Sequence, residues 1–139
     1  MKKMIVAVNL LFLTINTISA LEKVRNYNEQ IAFIFNLSGK FTVNEIGVLN
    51  YPGNEYKMYK ITYGTVRTNN TKKYLFISGV HGNEIAPVYV MKEFIQYLDS
   101  IILIDNISID FIYILNPYGF EYGLRHNGNG RDLNRDFIN

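Results

Sequence analysis

The chain has 139 residues, 48% of them apolar and 19% charged, with a formal net charge of +2. That balance belongs to a globular chain of one domain and excludes a disordered or fibrous one. Its Lys and Arg side chains are scattered, without the basic stripe that phosphate neutralisation needs, so nucleic acid is excluded as a partner; with no cysteine, no disulfide can hold the fold.

At the start of the chain, Lys2 and Lys3 precede an apolar run that ends in Ile18-Ser19-Ala20. This is the layout of a secretory signal peptide over residues 1–20, cleaved after Ala20, and it predicts a secreted or periplasmic protein. Asn9, Asn16 and Thr17 interrupt the run below the roughly 20 apolar residues that a span requires, so no stable membrane span is expected after its removal.

Val24, Tyr27, Ile31, Ile34 and Phe35 then recur at three- and four-residue intervals, which predicts a helix over residues 22–37, ended by Ser38-Gly39. Val43, Ile46, Val48 and Leu49 lead into Tyr51-Pro52-Gly53-Asn54, and Tyr56, Met58, Ile61 and Tyr63 follow it. The pattern predicts two antiparallel strands joined by a Pro-Gly turn. After a polar loop over residues 68–71, the apolar run 73–78 suits a central strand buried on both faces. Apolar residues at helical spacing predict a helix over residues 84–98, with Pro87 tolerated in its first turn, and residues 107–115 supply another strand. Strand, helix and strand in that order argue a parallel β-α-β unit. The fold class expected is α/β, a mixed and mainly parallel sheet flanked by helices.

The segment Ser78-Gly79-Val80-His81-Gly82-Asn83-Glu84 puts His81 and Glu84 at the carboxyl end of a strand, the rim at which open α/β sheets bind ligands. Imidazole nitrogen and carboxylate oxygen are both zinc donors, and residues three apart on a turn can reach one cation. Gly79 and Gly82 would let the backbone turn tightly beside the ion. Alone, the spacing is a weak signal: Glu84 reads as well as a helix-start charge and His81 as a surface or capping residue.

A second polar segment over residues 116–137 should open onto the same rim. In it, Asn134 and Arg135 offer an amide and a planar guanidinium able to grip a carboxylate, and Arg125 could meet a developing oxyanion. Neighbours in a regular strand point to opposite faces, so the Asn134-Arg135 pair needs an irregular backbone, which Gly128 and Gly130 allow. The bland alternative is a solvated loop in which Asp132 pairs with Arg131 or Arg135.

Taken in order, the His81-to-Glu84 turn, Asn116-Pro117-Tyr118-Gly119, and the run from Arg125 through Asp132-Leu133-Asn134-Arg135 to Phe137 resemble the zinc metallocarboxypeptidase superfamily. The resemblance implies Zn(2+) held by His81 and Glu84, Arg125 polarising the scissile carbonyl, and Asn134 with Arg135 holding the terminal carboxylate of a peptide. It also implies removal of C-terminal residues by hydrolysis. Arg131 and Asp136 depart from that family's usual residues beside the Asp-Leu-Asn-Arg run. The family's third zinc ligand, a downstream histidine, and its general base, a later glutamate, have no counterpart here; His126, beside Arg125, is the one other histidine. The expectation is therefore the N-terminal portion of a catalytic domain over residues 21–139, inactive alone, binding zinc weakly and prone to associate through an unpaired sheet edge.

Two alternatives stand beside this reading. One is a zinc deacylase similar to aspartoacylases and succinylglutamate desuccinylases, which share the histidine-glutamate turn and an Asp-Leu-Asn-Arg-like run but act on a small acylated amino acid. The other is an exported module that binds carboxylates without hydrolysing them.

Overall fold

The structure, a computed structural model, describes residues 21–64, 70–102 and 104–136. The predicted leader, residues 1–20, and Phe137 at the end of the motif lie outside the described residues.

The sheet is built first from a long hairpin. β1 (Phe41–Tyr51) pairs antiparallel with β2 (Asn54–Tyr63) from Phe41 opposite Tyr63 to Tyr51 opposite Asn54, with one register shift between Glu45 and Gly47. The turn between them is the Pro-Gly turn expected, with Gly53 at φ 75°, a left-handed conformation that favours glycine.

β3 (Lys72–Ile77) and β4 (Ile107–Ile112) run parallel, joined through α2 (Ala86–Ser100), and β4 also pairs antiparallel with β2. The strand order is β1-β2-β4-β3. The sheet is mixed and flanked by helices, as the sequence implies. Among its four described strands, parallel pairing is confined to the β-α-β unit; the other two ladders are antiparallel.

α2 carries Pro87 at its start and turns Val88, Met91, Ile95 and Leu98 into the core. It covers the sheet face that presents Ile61, Tyr63, Ile109 and Phe111, and Phe94 meets the rings of Phe76 and Phe111 edge-on at 5.8 and 5.9 Å. Lys40 donates to the carbonyls of Asp99 and Ile101, satisfying acceptors at the carboxyl end of α2.

Two expectations change. The N-terminal helix is shorter than residues 22–37: α1 (Tyr27–Ile31) begins after Asn26, whose side chain accepts the Glu29 N–H, and it tightens into a 3-10 turn over Ala32–Asn36. Residues before Asn26 are kept out of the helix because the amides of Val24 and Arg25 donate to the Glu121 carbonyl at 2.7 and 3.1 Å. The second change concerns β3, which lies at the sheet edge among the described strands and not at its centre. Its apolar residues are exposed, Leu75 by 60%. A continuous apolar run reports that both faces seek cover; it does not report which neighbour supplies it.

Candidate metal and substrate site

The parallel pair brings the two motif segments to one rim. Pairing continues beyond the strands: Ser78 donates its amide to Ile112, Leu115 to Ser78 and Asn116 to Gly79, at 2.9–3.0 Å. The turn after β3 and the turn after β4 therefore leave the sheet side by side. The second enters α3 (Pro117–Tyr122), whose cap residue Asn116 accepts the Gly119 N–H. Buried Asn116 also donates to the carbonyls of Val80 and Arg125, binding the two segments together.

Gly82 shows why the first turn needs a glycine. A β-carbon there would fall onto the carbonyl carbon of Gly119 and the nitrogen of Phe120, so the two backbones touch with no room for a side chain. Gly79 has φ 62° and is tightly packed against Ile114, which accounts for the other glycine of the turn.

His81 is buried and Glu84 is exposed, and the turn between them converges: His81 Nδ1 lies 3.0 Å from Glu84 Oε1. Glu84 precedes α2, which starts two residues later than expected from the apolar spacing. A pocket of about 150 Å³ opens here, lined by Ser78, Gly79, Val80, His81, Glu84 and Pro87. The other ring nitrogen, Nε2, lies 3.0 Å from Asp132 Oδ1. Arg125 spans the same group, donating from Nε to Asp132 Oδ2 at 2.9 Å and from Nη1 to Glu84 Oε1 at 3.3 Å.

Under the bland alternative, Asp132 pairs locally with Arg131 or Arg135. The structure gives it to His81 and Arg125 instead, while Arg131 lies 3.9 Å from Asp136, so that the two residues departing from the resembled motif face each other. Burial works against the Asp132 charge, but donation from Arg125 and His81, the Asn134 amide and the Arg125 charge outweigh it and hold the carboxyl down at about 2. A carboxylate seven residues beyond Arg125 and two before Asn134 was the available signal; nothing in the sequence pairs it with a histidine 51 positions earlier.

Asn134 and Arg135 are exposed on the single turn α4 (Leu133–Asp136). The backbone there is helical and not extended, so the strand rule that sends neighbours to opposite faces does not apply. Asp132 starts the turn, its side chain accepting from the Asn134 amide and its carbonyl from the Arg135 amide. The pair is thus tied to His81 through one intervening carboxylate. His126 is exposed and outside this cluster.

The donor set fits zinc as two ligands. Both ring nitrogens face carboxylate oxygens, which can only accept; one tautomer of a neutral ring serves one of them, and a cation beside Nδ1 and Glu84 serves the other. Asp132 then occupies the position of a carboxylate that orients a metal-bound histidine from behind. Because Nδ1 and Nε2 lie on opposite edges of the ring, Glu84 and Asp132 cannot share one ion through it. Among the described residues, no group of three His, Cys, Asp or Glu side chains is arranged to hold a metal.

Solved structures share this architecture. A metallo-carboxypeptidase from Burkholderia cenocepacia superposes with a TM-score of 0.67 over 81% of this chain and 32% of its own, at 22% identity. One from Pseudomonas aeruginosa in complex with (2-guanidinoethylmercapto)succinic acid gives 0.61 over 81% and 30%, at 19% identity. Among curated relatives, a "Probable aspartoacylase" of Prochlorococcus marinus subsp. pastoris is 44% identical over 66 residues, 48% of this chain and 21% of that protein. A second, from strain MIT 9515, is 44% identical over 69 residues, 49% of this chain and 21% of that protein. The matched segment thus spans about a fifth of the length of these relatives. Residues 70–139, half of the chain and the stretch that carries both motif segments, match the family described as "Succinylglutamate desuccinylase/Aspartoacylase catalytic domain". The fold is that of the metallo-carboxypeptidases, and the chain belongs to the succinylglutamate desuccinylase/aspartoacylase family within the zinc-carboxypeptidase-like hydrolase superfamily.

Proposed function

We propose that this chain carries part of the active site of a zinc-dependent deacylase, which hydrolyses the amide of a small N-acyl amino acid. The observation that carries the reading is the convergence of His81, Glu84, Arg125 and Asp132 at one rim, within a segment that matches a deacylase family. The peptidase reading of the motifs shares the reaction, hydrolysis of an amide near a carboxylate. Family membership favours the acylated amino acid, since the peptidase neighbours are alike in fold.

His81 and Glu84 would hold the ion, and Asp132 fixes the His81 ring with Nδ1 toward Glu84. Bound zinc would supply a water of lowered pKa and a polarising charge for the carbonyl. Arg125, kept in place by Glu84 and Asp132, offers its guanidinium to charge developing on the carbonyl oxygen. Asn134 and Arg135, exposed on their one-turn helix, receive the substrate carboxylate, for which a planar guanidinium is suited by its paired N–H groups. The general base is not among these residues. With two protein ligands where catalytic zinc has three, zinc binding by the chain is expected to be weak.

Zinc titration of the chain by calorimetry tests the metal centre: binding lost in His81→Ala and Glu84→Ala supports it, and equal binding in all three proteins overturns it. Release of acetate from N-acetyl-aspartate or succinate from N-succinyl-glutamate, set against release of C-terminal residues from peptides, tests the substrate class. Export is part of the same reading, and N-terminal sequencing of the mature protein should begin at Leu21.

A further inference from the structure

The turn carrying His81 and Glu84 is clamped from a direction that neither motif predicts. Ahead of α1, residues 23–27 run as a strap across α3. Val24 and Arg25 donate their amides to the Glu121 carbonyl. The buried Glu121 carboxylate accepts from Tyr27 N–H at 3.0 Å and Tyr56 O–H at 2.8 Å, and pairs with Lys23 at 2.5 Å. Thus anchored, the strap sends Arg25 toward the rim. Its Nη1 donates to the Phe120 carbonyl at 2.8 Å and the Gly82 carbonyl at 3.3 Å, and its guanidinium lies over the Phe120 ring at 5.3 Å.

Those two carbonyls lie on opposite sides of the seam where the Gly82 and Gly119 backbones touch. Asn116 ties Val80 to Arg125 within the motif segments themselves, so Arg25 adds a tie brought in from outside them. Gly82 sits between His81 and Glu84 in the chain. Any shift of its peptide rotates the histidine and the glutamate relative to each other.

We propose that Arg25 is a positioning residue for the metal-binding turn: by bridging the Gly82 and Phe120 carbonyls across the seam, it holds His81 and Glu84 in the convergent geometry. This rests on the reading that His81 and Glu84 hold a metal ion. Arginine suits the place because Nη1 reaches both carbonyls while the guanidinium lies over the Phe120 ring, a combination that lysine can reproduce only in part.

The test uses the full chain, with Co(2+) as a spectroscopic probe of the zinc position, in wild type, Arg25→Met, Arg25→Lys, Lys23→Met and His81→Ala. Amide exchange at Glu84, whose N–H donates to the His81 carbonyl at 3.2 Å, is followed without metal. In Arg25→Met the Co(2+) dissociation constant is expected to rise about tenfold, the scale seen when a residue behind a metal ligand is lost. The Glu84 amide should exchange faster, and Arg25→Lys should recover part of both. Lys23→Met removes the exposed end of the Glu121 ion pair but keeps the Val24 and Arg25 amide bonds that place Arg25, so it should lower the melting temperature and leave Co(2+) affinity unchanged. If His81→Ala abolishes Co(2+) binding while Arg25→Met matches wild type in affinity and exchange, the positioning role is overturned and the metal reading stands. If His81→Ala binds as wild type does, both fall.

Discussion

Nε2 of His81 stands 3.0 Å from Oδ1 of Asp132, a contact between residues 51 positions apart that joins the turn after β3 to the segment bearing Asn134 and Arg135. Because the other oxygen of the same carboxylate takes the Arg125 Nε–H, this acid orients two functional groups at once.

Asp132→Ala should therefore weaken zinc binding by about 10- to 100-fold through loss of ring orientation, although Asp132 is not itself a ligand. Calorimetric titration checks this. The same variant should also weaken binding of an acyl-amino-acid carboxylate, since the Asn134 amide loses its cap.

Acid stability follows from the same group with a definite sign. The Asp132 carboxyl is held at about 2 in the fold, against roughly 3.9 for a free aspartate. Its contribution is full above about pH 4 and is lost as pH falls toward 2. Glu121 and Asp99 are also shifted downward and act in the same direction: burial raises Glu121 but donation from Lys23, Tyr27 and Tyr56 outweighs it, and the Ser38 contact lowers Asp99. Melting temperatures measured from pH 5 to pH 2 should fall, and less steeply in Asp132→Asn.

Glu121→Ala removes the acceptor for the Tyr27 amide and the Tyr56 hydroxyl, both buried. Leaving these donors without a partner should cost roughly 2–4 kcal/mol in urea denaturation. Tyr56→Phe, which removes one donor together with its need, should cost about 1 kcal/mol.

β3 offers an apolar edge, with Leu75 60% and Ile77 42% exposed. Leu75→Lys should reduce self-association measured by light scattering, because charge on an edge strand opposes pairing with another copy. Stability should change little, since Leu75 makes no part of the core.

The hairpin, the β-α-β unit and the convergence of the motif segments at one rim were legible because each rests on local pattern: a Pro-Gly turn, helical spacing from Val88 to Leu98, and chemistry placed after strands. The bounds of α1 were not, because Glu121, almost a hundred residues away, withdraws the Val24 and Arg25 amides from the helix. The exposure of β3 was hidden for the opposite reason: its residues look alike whether covered or bare. At the site, His81 and Glu84 could be paired by spacing, whereas Asp132 and Arg25 act across 51 and 57 positions, where no periodicity reaches.

Where Gly82 meets Gly119, main chain lies directly on main chain. The gap between the two loops is then fixed by the thickness of a peptide plane, a dimension that no choice of amino acid can adjust. Side chains surrounding the loops can drift and be compensated by their neighbours, but a methyl group added at position 82 has nowhere to go, and relatives sharing this join should keep glycine there.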